Sequence, residues 1–464
     1  MTLSFTATEE VLSARLAVTF GFRDHVDRLY RWFVSARDDT ATQFCGVIEG
    51  FYGPPWSWDA RIEVCRFLTR FGANTYVYAP KSDPRHRDQW REPYEVDEIA
   101  GFERLVEDCG LRVGYAISPG LSMDLASSDD RASLIAKLES MRSIGIDWFC
   151  LALDDIPAGP DAARDQGALC AWIVDAIAPC ELIFVPTDYT STRPNAYLDG
   201  LAASVPESVA IGWTGPTVVT DRITVDDARA RADALGGRVP WLWDNYPVND
   251  GIMTERLFMG SLRGRDPELR SALAGYLANP MIQARASQLP LASALAWWQG
   301  DNADAIWSTV ADEFGWTTFA RACDGTHLRG LPNDQRREFL AAAAACTAPG
   351  IEDEVEPWLR QVHREAGCAL ALLDAMASDP PSIEHQLIAL ARWTRVPDAA
   401  ISVFGPRRSL RPVLSQGDDV EFELASDALD FNENAIDHVV LETVAGANAS
   451  RTRGTAGSSG GYPH

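Results

Sequence analysis

Short apolar runs separated by amphipathic stretches organise the middle of this chain. The runs are Gly46-Val47-Ile48, Thr75 to Ala79, Val113 to Ile117, Phe149 to Leu153, Ile183 to Val185, Ile211 to Trp213 and Trp241 to Trp243. Their starts lie about 28 to 38 residues apart, the length of a strand, a helix and two loops. The stretches between them read as helices. Ser57 stands as an N-cap before Ala60, Val64, Phe67, Leu68 and Phe71 on one face. Val96, Ile99, Phe102, Leu105, Val106 and Cys109 form a second stripe, and Leu134, Leu138, Met141 and Ile144 a third. Seven βα units are visible, and an eighth strand is expected just after Asn279-Pro280. The pattern predicts a (β/α)8 barrel over residues 44–300. An open doubly wound sheet is the rival, but its glycine-rich phosphate loop is absent.

From residue 301 the period is that of helices alone, over 334–347, 354–377 and 382–396. An all-α helical bundle domain is expected across 301–444. Residues 445–464, rich in Gly, Ser, Ala, Thr and Arg, read as a flexible tail. Residues 1–43 form an N-terminal segment in which Leu29 to Val34 fit a helix.

Composition narrows the partners. The net charge of -25 opposes a nucleic-acid partner, because a binder of phosphate backbones needs the opposite sign. No apolar run approaches a membrane span, and the N-terminus lacks a basic start followed by an apolar core. Nine cysteines, an odd total with no C-x-x-C pair, suggest reduced and buried thiols. A cytoplasmic setting without a membrane partner is the expectation.

Barrel enzymes carry their chemistry at the C-terminal ends of the strands. Those ends read Glu49 to Gly53, Ala79 to Lys81, Asp154-Asp155, Pro186 to Tyr189, Trp213 to Gly215 and Trp243 to Asn245. One polar exit means little; six on one rim make a site. Asp154 and Asp155 follow the apolar run Trp148 to Leu153. A helix N-cap with a first-turn acid is the bland reading of an Asp-Asp pair. Side by side, however, such carboxylates separate their titrations, as acid/base chemistry on a neutral polar substrate requires. No H-E-x-x-H or Cys/His set supplies a metal, and no G-x-S-x-G elbow appears. The histidines are dispersed. Carboxylates, a lysine, amides, a tyrosine and several tryptophans remain, and they suit a carbohydrate site that needs no cofactor.

The motifs G-V-I-E-G-F-Y-G-P-P-W (46–56), N-T-Y-V-Y-A-P-K-S-D-P-R-H-R (74–87), A-L-D-D-I (152–156), P-T-D-Y (186–189), W-T-G-P (213–216), W-D-N-x-x-x-N-D (243–250) and L-A-N-P (277–280) resemble glycoside hydrolase family 84. That family comprises the O-GlcNAcases and related β-N-acetylglucosaminidases, including enzymes historically called hyaluronidases. The resemblance covers about residues 44–300 and implies the barrel, often followed by a helical domain. It implies a retaining exo-β-N-acetylglucosaminidase that works through substrate assistance and an oxazoline. Asp154 resembles the residue that orients and polarises the 2-acetamido group, and Asp155 the general acid/base. Tyr189 and Asn245 resemble residues that hold the acetamido group and the acid/base machinery. The Gly50 backbone, Lys81, Asp250 and Asn279 resemble contacts to the sugar hydroxyls. Trp243 resembles the wall of the pocket for the N-acetyl methyl. In this mechanism Asp154 titrates lower and Asp155 higher.

Two departures from the family stand out. Residues 1–43 are too few for the α/β domain that precedes the barrel in several bacterial members. The C-terminal part is too short for the acetyltransferase-like domain of animal members. The implied partner is a substrate bearing N-acetylglucosamine, such as a glycoprotein or peptide. Cleavage of N-acetylglucosamine-containing glycans is the second reading, with hyaluronan its weakest candidate. A non-catalytic carbohydrate-binding module is the third, disfavoured because binding alone needs no acid/base pair.

Overall fold

A computed structural model describes residues 43–324, 332–377, 409–414 and 420–425. Eight parallel strands close into a barrel in sequence order. They are β1 (Phe44–Glu49), β2 (Thr75–Tyr78), β3 (Arg112–Ile117), β4 (Trp148–Ala152), β5 (Glu181–Val185), β6 (Ala210–Trp213), β7 (Trp241–Asp244) and β8 (Gly275–Ala278), with β8 paired back onto β1. The seven apolar runs became β1 to β7. Both faces of such a strand are covered, one by the barrel interior and one by helices, so the runs are apolar without alternation.

Seven helices follow strands: α1 (Trp58–Leu68), α2 (Val96–Asp108), α3 (Ser128–Ser143), α4 (Ala162–Ile177), α5 (Ala196–Ser204), α6 (Val225–Ala234) and α7 (Ala284–Gln299). Ser57 caps α1 as expected, accepting from the Ala60 amide at 3.2 Å. The second stripe buries Phe102, Leu105 and Cys109 but leaves Val96 83% exposed, at the first residue of α2, where the helix has not yet turned onto the barrel. Between β7 and β8 the crossover holds only two 3-10 turns, Gly251–Met253 and Leu269–Ala272. Pro247, Gly251, Gly260, Gly264 and Pro267 interrupt that segment.

The eighth strand differs from expectation. β8 precedes Asn279-Pro280 instead of following it. The apolar stretch beyond Pro280 continues as α7, nearly every residue of which is buried. One side of α7 meets the barrel, through Leu291, Leu295 and Trp298, and the other meets the helices that follow, through Leu289 and Ala292. A helix covered on all sides loses its amphipathic period and reads like a buried strand.

Beyond the barrel come α8 (Ala303–Phe314), α9 (Thr317–Asp324), α10 (Asn333–Ala343) and α11 (Glu352–Ala377). They pack a second core around Trp307, Phe319, Trp358 and Val362. The region read as helical also contains an antiparallel pair, β9 (Ser409–Leu414) and β10 (Val420–Ala425). Val420, Phe422 and Leu424 alternate with Glu421 and Glu423, a period of two that the helical reading passed over. The segment 382–396, residues 1–42 and the tail lie outside the described residues. Among the described residues no helix is long and apolar enough to cross a membrane.

Candidate active site

Asp154 and Asp155 leave β4 in opposite senses. Asp155 has φ 54°, a left-handed conformation that is costly for a residue with a side chain. The turn sends adjacent carboxylates into different surroundings. Asp154 is 7% exposed, and its Oδ2 accepts a 2.6 Å hydrogen bond from Lys81 Nζ. Its Oδ1 is buried with no hydrogen-bond partner. Burial alone would push the Asp154 carboxyl up. The Lys81 ammonium outweighs that and holds it below the ordinary carboxylate value. Asp155 is exposed and held by two phenols. Tyr189 donates to its Oδ1 at 2.8 Å, and Tyr52 to its Oδ2 at 2.9 Å. Burial, with Asp155 beside them, raises the pKa of both tyrosines, so each remains a donor.

The opposite half of the rim is an amide network. Trp243 Nε1 donates to Asn245 Oδ1 at 3.0 Å, and Asn279 Nδ2 donates to the same oxygen at 2.9 Å. Asn279 Oδ1 in turn accepts from the Gly50 amide at 3.1 Å. Gly50 has no room for a side chain, since a Cβ there would stand 2.1 Å from Trp243 Cζ2. The Gly50 N–H is thus committed within the protein, shared between Asn279 Oδ1 and the Ile48 carbonyl at 2.8 Å. Asp250 Oδ2 accepts from the Tyr52 amide at 2.7 Å, and burial raises the Asp250 pKa. Lys81 Nζ lies 5.7 Å from the Trp243 ring centre, which links the amide network to Asp154. All nine residues singled out in the sequence therefore stand on one end of the barrel.

Two strand-exit acids turn away from the site. Glu49 is fully buried, bonded to Arg61 at 2.8 Å and to the Tyr76 hydroxyl, and Asp244 pairs with Arg265 at 2.7 Å. Both fasten the barrel to its outer layer. Four contributors escaped the sequence reading. Tyr52 and Arg87, which donates to the Tyr52 hydroxyl at 3.1 Å, sit inside motifs that carried the resemblance but had no role assigned. His86 is fully buried, its Nδ1 2.8 Å from the Ala116 carbonyl. That contact fixes Nδ1 as the protonated nitrogen. Burial, then the Lys81 charge, lowers the His86 pKa to about 4. Arg231, on α6, is fully buried and donates to the carbonyls of Asp188 and Ser191 at 2.8 Å each. It clamps the loop that presents Tyr189, and no sequence motif marks it. Among the described residues no group of three His, Cys, Asp or Glu is arranged to hold a metal ion.

Paired carboxylates in unlike surroundings thus share a barrel rim with a tryptophan and an amide network. The chain belongs to the β-N-acetylglucosaminidase family, whose model matches residues 45–318. The protein O-GlcNAcases of Mus musculus and Rattus norvegicus are similar to it, at 33% and 32% identity over 276 residues. Each match covers 55% of this chain and 30% of the relative, so the chain spans less than a third of their length. An O-GlcNAc hydrolase structure from Thermobaculum terrenum superposes with a TM-score of 0.69 at 24% identity, covering 90% of this chain and 97% of that one. At that identity the likeness speaks for the fold alone.

Proposed function

We propose that the chain is a retaining exo-β-N-acetylglucosaminidase in which the substrate's own acetamide oxygen is the nucleophile. The observation that carries this is the buried, unpartnered Oδ1 of Asp154 beside its Lys81-bound Oδ2. An ionised carboxylate fixed in that way is suited to accept the acetamide N–H. It would stabilise the positive charge that grows on nitrogen as the oxygen attacks the anomeric carbon. Attack within one molecule avoids the entropy of recruiting a second. The ring closes to an oxazoline while the glycosidic bond breaks, and Asp155 gives its proton to the leaving oxygen. Asp155 then takes a proton from water as that water opens the oxazoline at the anomeric carbon, giving net retention.

Tyr189 and Tyr52 hold Asp155 in place. Trp243 walls the methyl pocket, and Asn245, Asn279, Asp250, Lys81 and the Gly50 carbonyl address the acetamido group and hydroxyls. The substrate we favour is N-acetylglucosamine on Ser or Thr of a protein. Buried free thiols at Cys45, Cys65, Cys150 and Cys170 support a reducing, cytoplasmic setting. The domain plan we favour is a catalytic barrel over 44–300, a following domain over 301–444, and flanking segments 1–43 and 445–464.

The test is a series of aryl β-glycosides with successive fluorines on the N-acetyl methyl. Each fluorine weakens the acetamide oxygen as a nucleophile, so the rate should fall steeply. A flat series, or a sugar trapped covalently on a protein carboxylate, overturns the mechanism.

A further inference from the structure

The crossover between β7 and β8 holds two 3-10 turns where the other crossovers hold a helix, and it carries two residues of the site, Asn245 and Asp250. We infer that Trp358 and Trp307, buried indoles of the helices beyond the barrel, are positioning residues for the reaction. They fix Asp250 against the sugar by gripping the backbone that follows it. The inference rests on the activity proposed above and gives those helices a part in it.

The loop after Asp250 has little of its own to hold it. It closes in two short turns, with the Met253 amide donating to the Asp250 carbonyl at 2.9 Å and the Arg256 amide to the Met253 carbonyl at 2.8 Å. Gly251, Thr254 and Glu255 are exposed. Of its two apolar side chains, Ile252 is 88% exposed and Met253 is half-buried against the barrel core. A stretch with so few buried contacts opens at low cost unless something else ties it down.

Two consecutive carbonyls supply the ties. The Arg256 carbonyl accepts from Asn249 Nδ2 at 2.8 Å on the barrel side, and the buried Asn249 is bonded in turn to Gln283 and to the Ile282 amide. The Glu255 carbonyl accepts from Trp358 Nε1 at 2.9 Å on the side of the helices. Just beyond, Leu257 and Met259 bury their side chains in the second core, and Trp307 Nε1 on α8 donates to the Met259 carbonyl at 2.7 Å. Both indoles are packed into that core, which does not yield as a surface would. An indole N–H can only donate, and leaving it unpaired in a core is costly, so each holds its carbonyl before a ligand arrives.

The neighbouring rim loop is tied to α11 as well. Glu354, one turn before Trp358, accepts from the amides of Arg285 at 3.1 Å and Ala286 at 3.0 Å. It thereby holds the start of α7, the helix that follows Asn279, and Met281 between the two is buried in the second core. The loops bearing Asp250 and Asn279 are therefore anchored from the helices and not from the barrel alone.

The experiment uses the full chain, Trp358→Phe, Asp250→Ala and the double variant, with an aryl β-GlcNAc as substrate. Phenylalanine keeps an aromatic ring in the core and removes the donor. Trp358→Phe should lower kcat/KM about fivefold, chiefly through KM, as the loss of one hydrogen bond would. In the Asp250→Ala background the same substitution should cost nothing further, because the group it positions is already gone. A merely structural Trp358 would lower the unfolding temperature and leave kcat/KM unchanged well below it. That result overturns the inference, and so does an equal loss in both backgrounds. Should Trp358→Phe not fold, Trp307→Phe, which releases the Met259 carbonyl of the same segment, enters the same cycle with the same outcomes. If Asp250→Ala alone changes nothing, Asp250 does not address the sugar, and the inference falls with that assignment. If the unaltered chain leaves the aryl substrate intact, the proposed activity itself is refuted and the inference goes with it, a result distinct from a loss seen only in the variants.

Discussion

Asp154 and Asp155 are neighbours in sequence, yet each belongs to a different half of the rim. Asp154 joins a closed half, where Lys81, Trp243, Asn245, Asn279 and Gly50 satisfy one another with little solvent. Asp155 joins an open half, exposed and steered by Tyr52 and Tyr189 from two separate loops. In the proposed mechanism the contrast divides the labour. A closed, low-dielectric half strengthens fixed charges, which suits a group that must stay ionised. An open half lets a proton pass to a leaving group and then return from water. One left-handed residue at the end of β4 produces both environments.

The sharpest way to break the contrast is to neutralise one carboxylate at a time. Asp154→Asn should slow every substrate, because in the proposed mechanism Asp154 assists attack. Asp155→Asn should slow poor leaving groups most and partly spare a highly activated aryl group. Losses of roughly 10²–10⁴-fold are expected where the lost group acts. Measuring kcat/KM across a leaving-group series decides the matter, and parallel losses for the two variants would refute the assignment.

Crowding the closed half should come next. Gly50→Ala drives a methyl into Trp243, which has Trp241 stacked behind it at 6.3 Å and little room to yield. Overpacking of this kind costs about 1–3 kcal/mol, and here it also closes the pocket. Thermal unfolding and KM for the aryl substrate should both worsen; a normal KM would mean that the Gly50 carbonyl does not face the sugar.

Loosening the open half should do less. Arg231→Lys cannot reach the carbonyls of Asp188 and Ser191 together, so the loop bearing Tyr189 drifts and Asp155 loses one of its donors. A fall in kcat of about tenfold, with KM for a small aryl substrate nearly constant, is the expected split for a positioning residue. If KM rose alone, Arg231 would be acting on binding instead.

The barrel and its rim were legible because their signals are local, and the nine candidate residues were named through the motifs that carry the family resemblance. A run of apolar residues ending in a carboxylate or amide says both strand and rim. The rest required tertiary information. Glu49 and Asp244 read as rim groups, but only the partners Arg61 and Arg265 reveal that they face outward. β8 was misplaced because α7, enclosed by two cores, has no polar face to mark it as a helix. Arg231 lies more than forty residues from the tyrosine it serves, and no spacing rule connects a fully buried arginine on α6 to a loop after β5. His86 was equally silent, because its environment is assembled from β2, β3 and β4.

His86 gives the mildest test of the closed half, through stability and not catalysis. Its pKa falls from 6.5 to about 4 in the folded chain, driven first by burial and then by the Lys81 charge, against weaker upward pulls from Asp83 and Asp154. The sign follows from linkage. Between those two pH values the unfolded chain binds a proton that the folded chain refuses, so stability drops as pH falls below 6.5. From pH 7 to pH 5 this one group should remove about 1–2 kcal/mol. Replacing it by Asn, which can still donate to the Ala116 carbonyl, deletes the titration. Urea unfolding at the two pH values should then show a smaller acid loss for His86→Asn than for the unaltered chain. Equal losses would mean that His86 charges without penalty, and that the closed half is wetter than its burial implies.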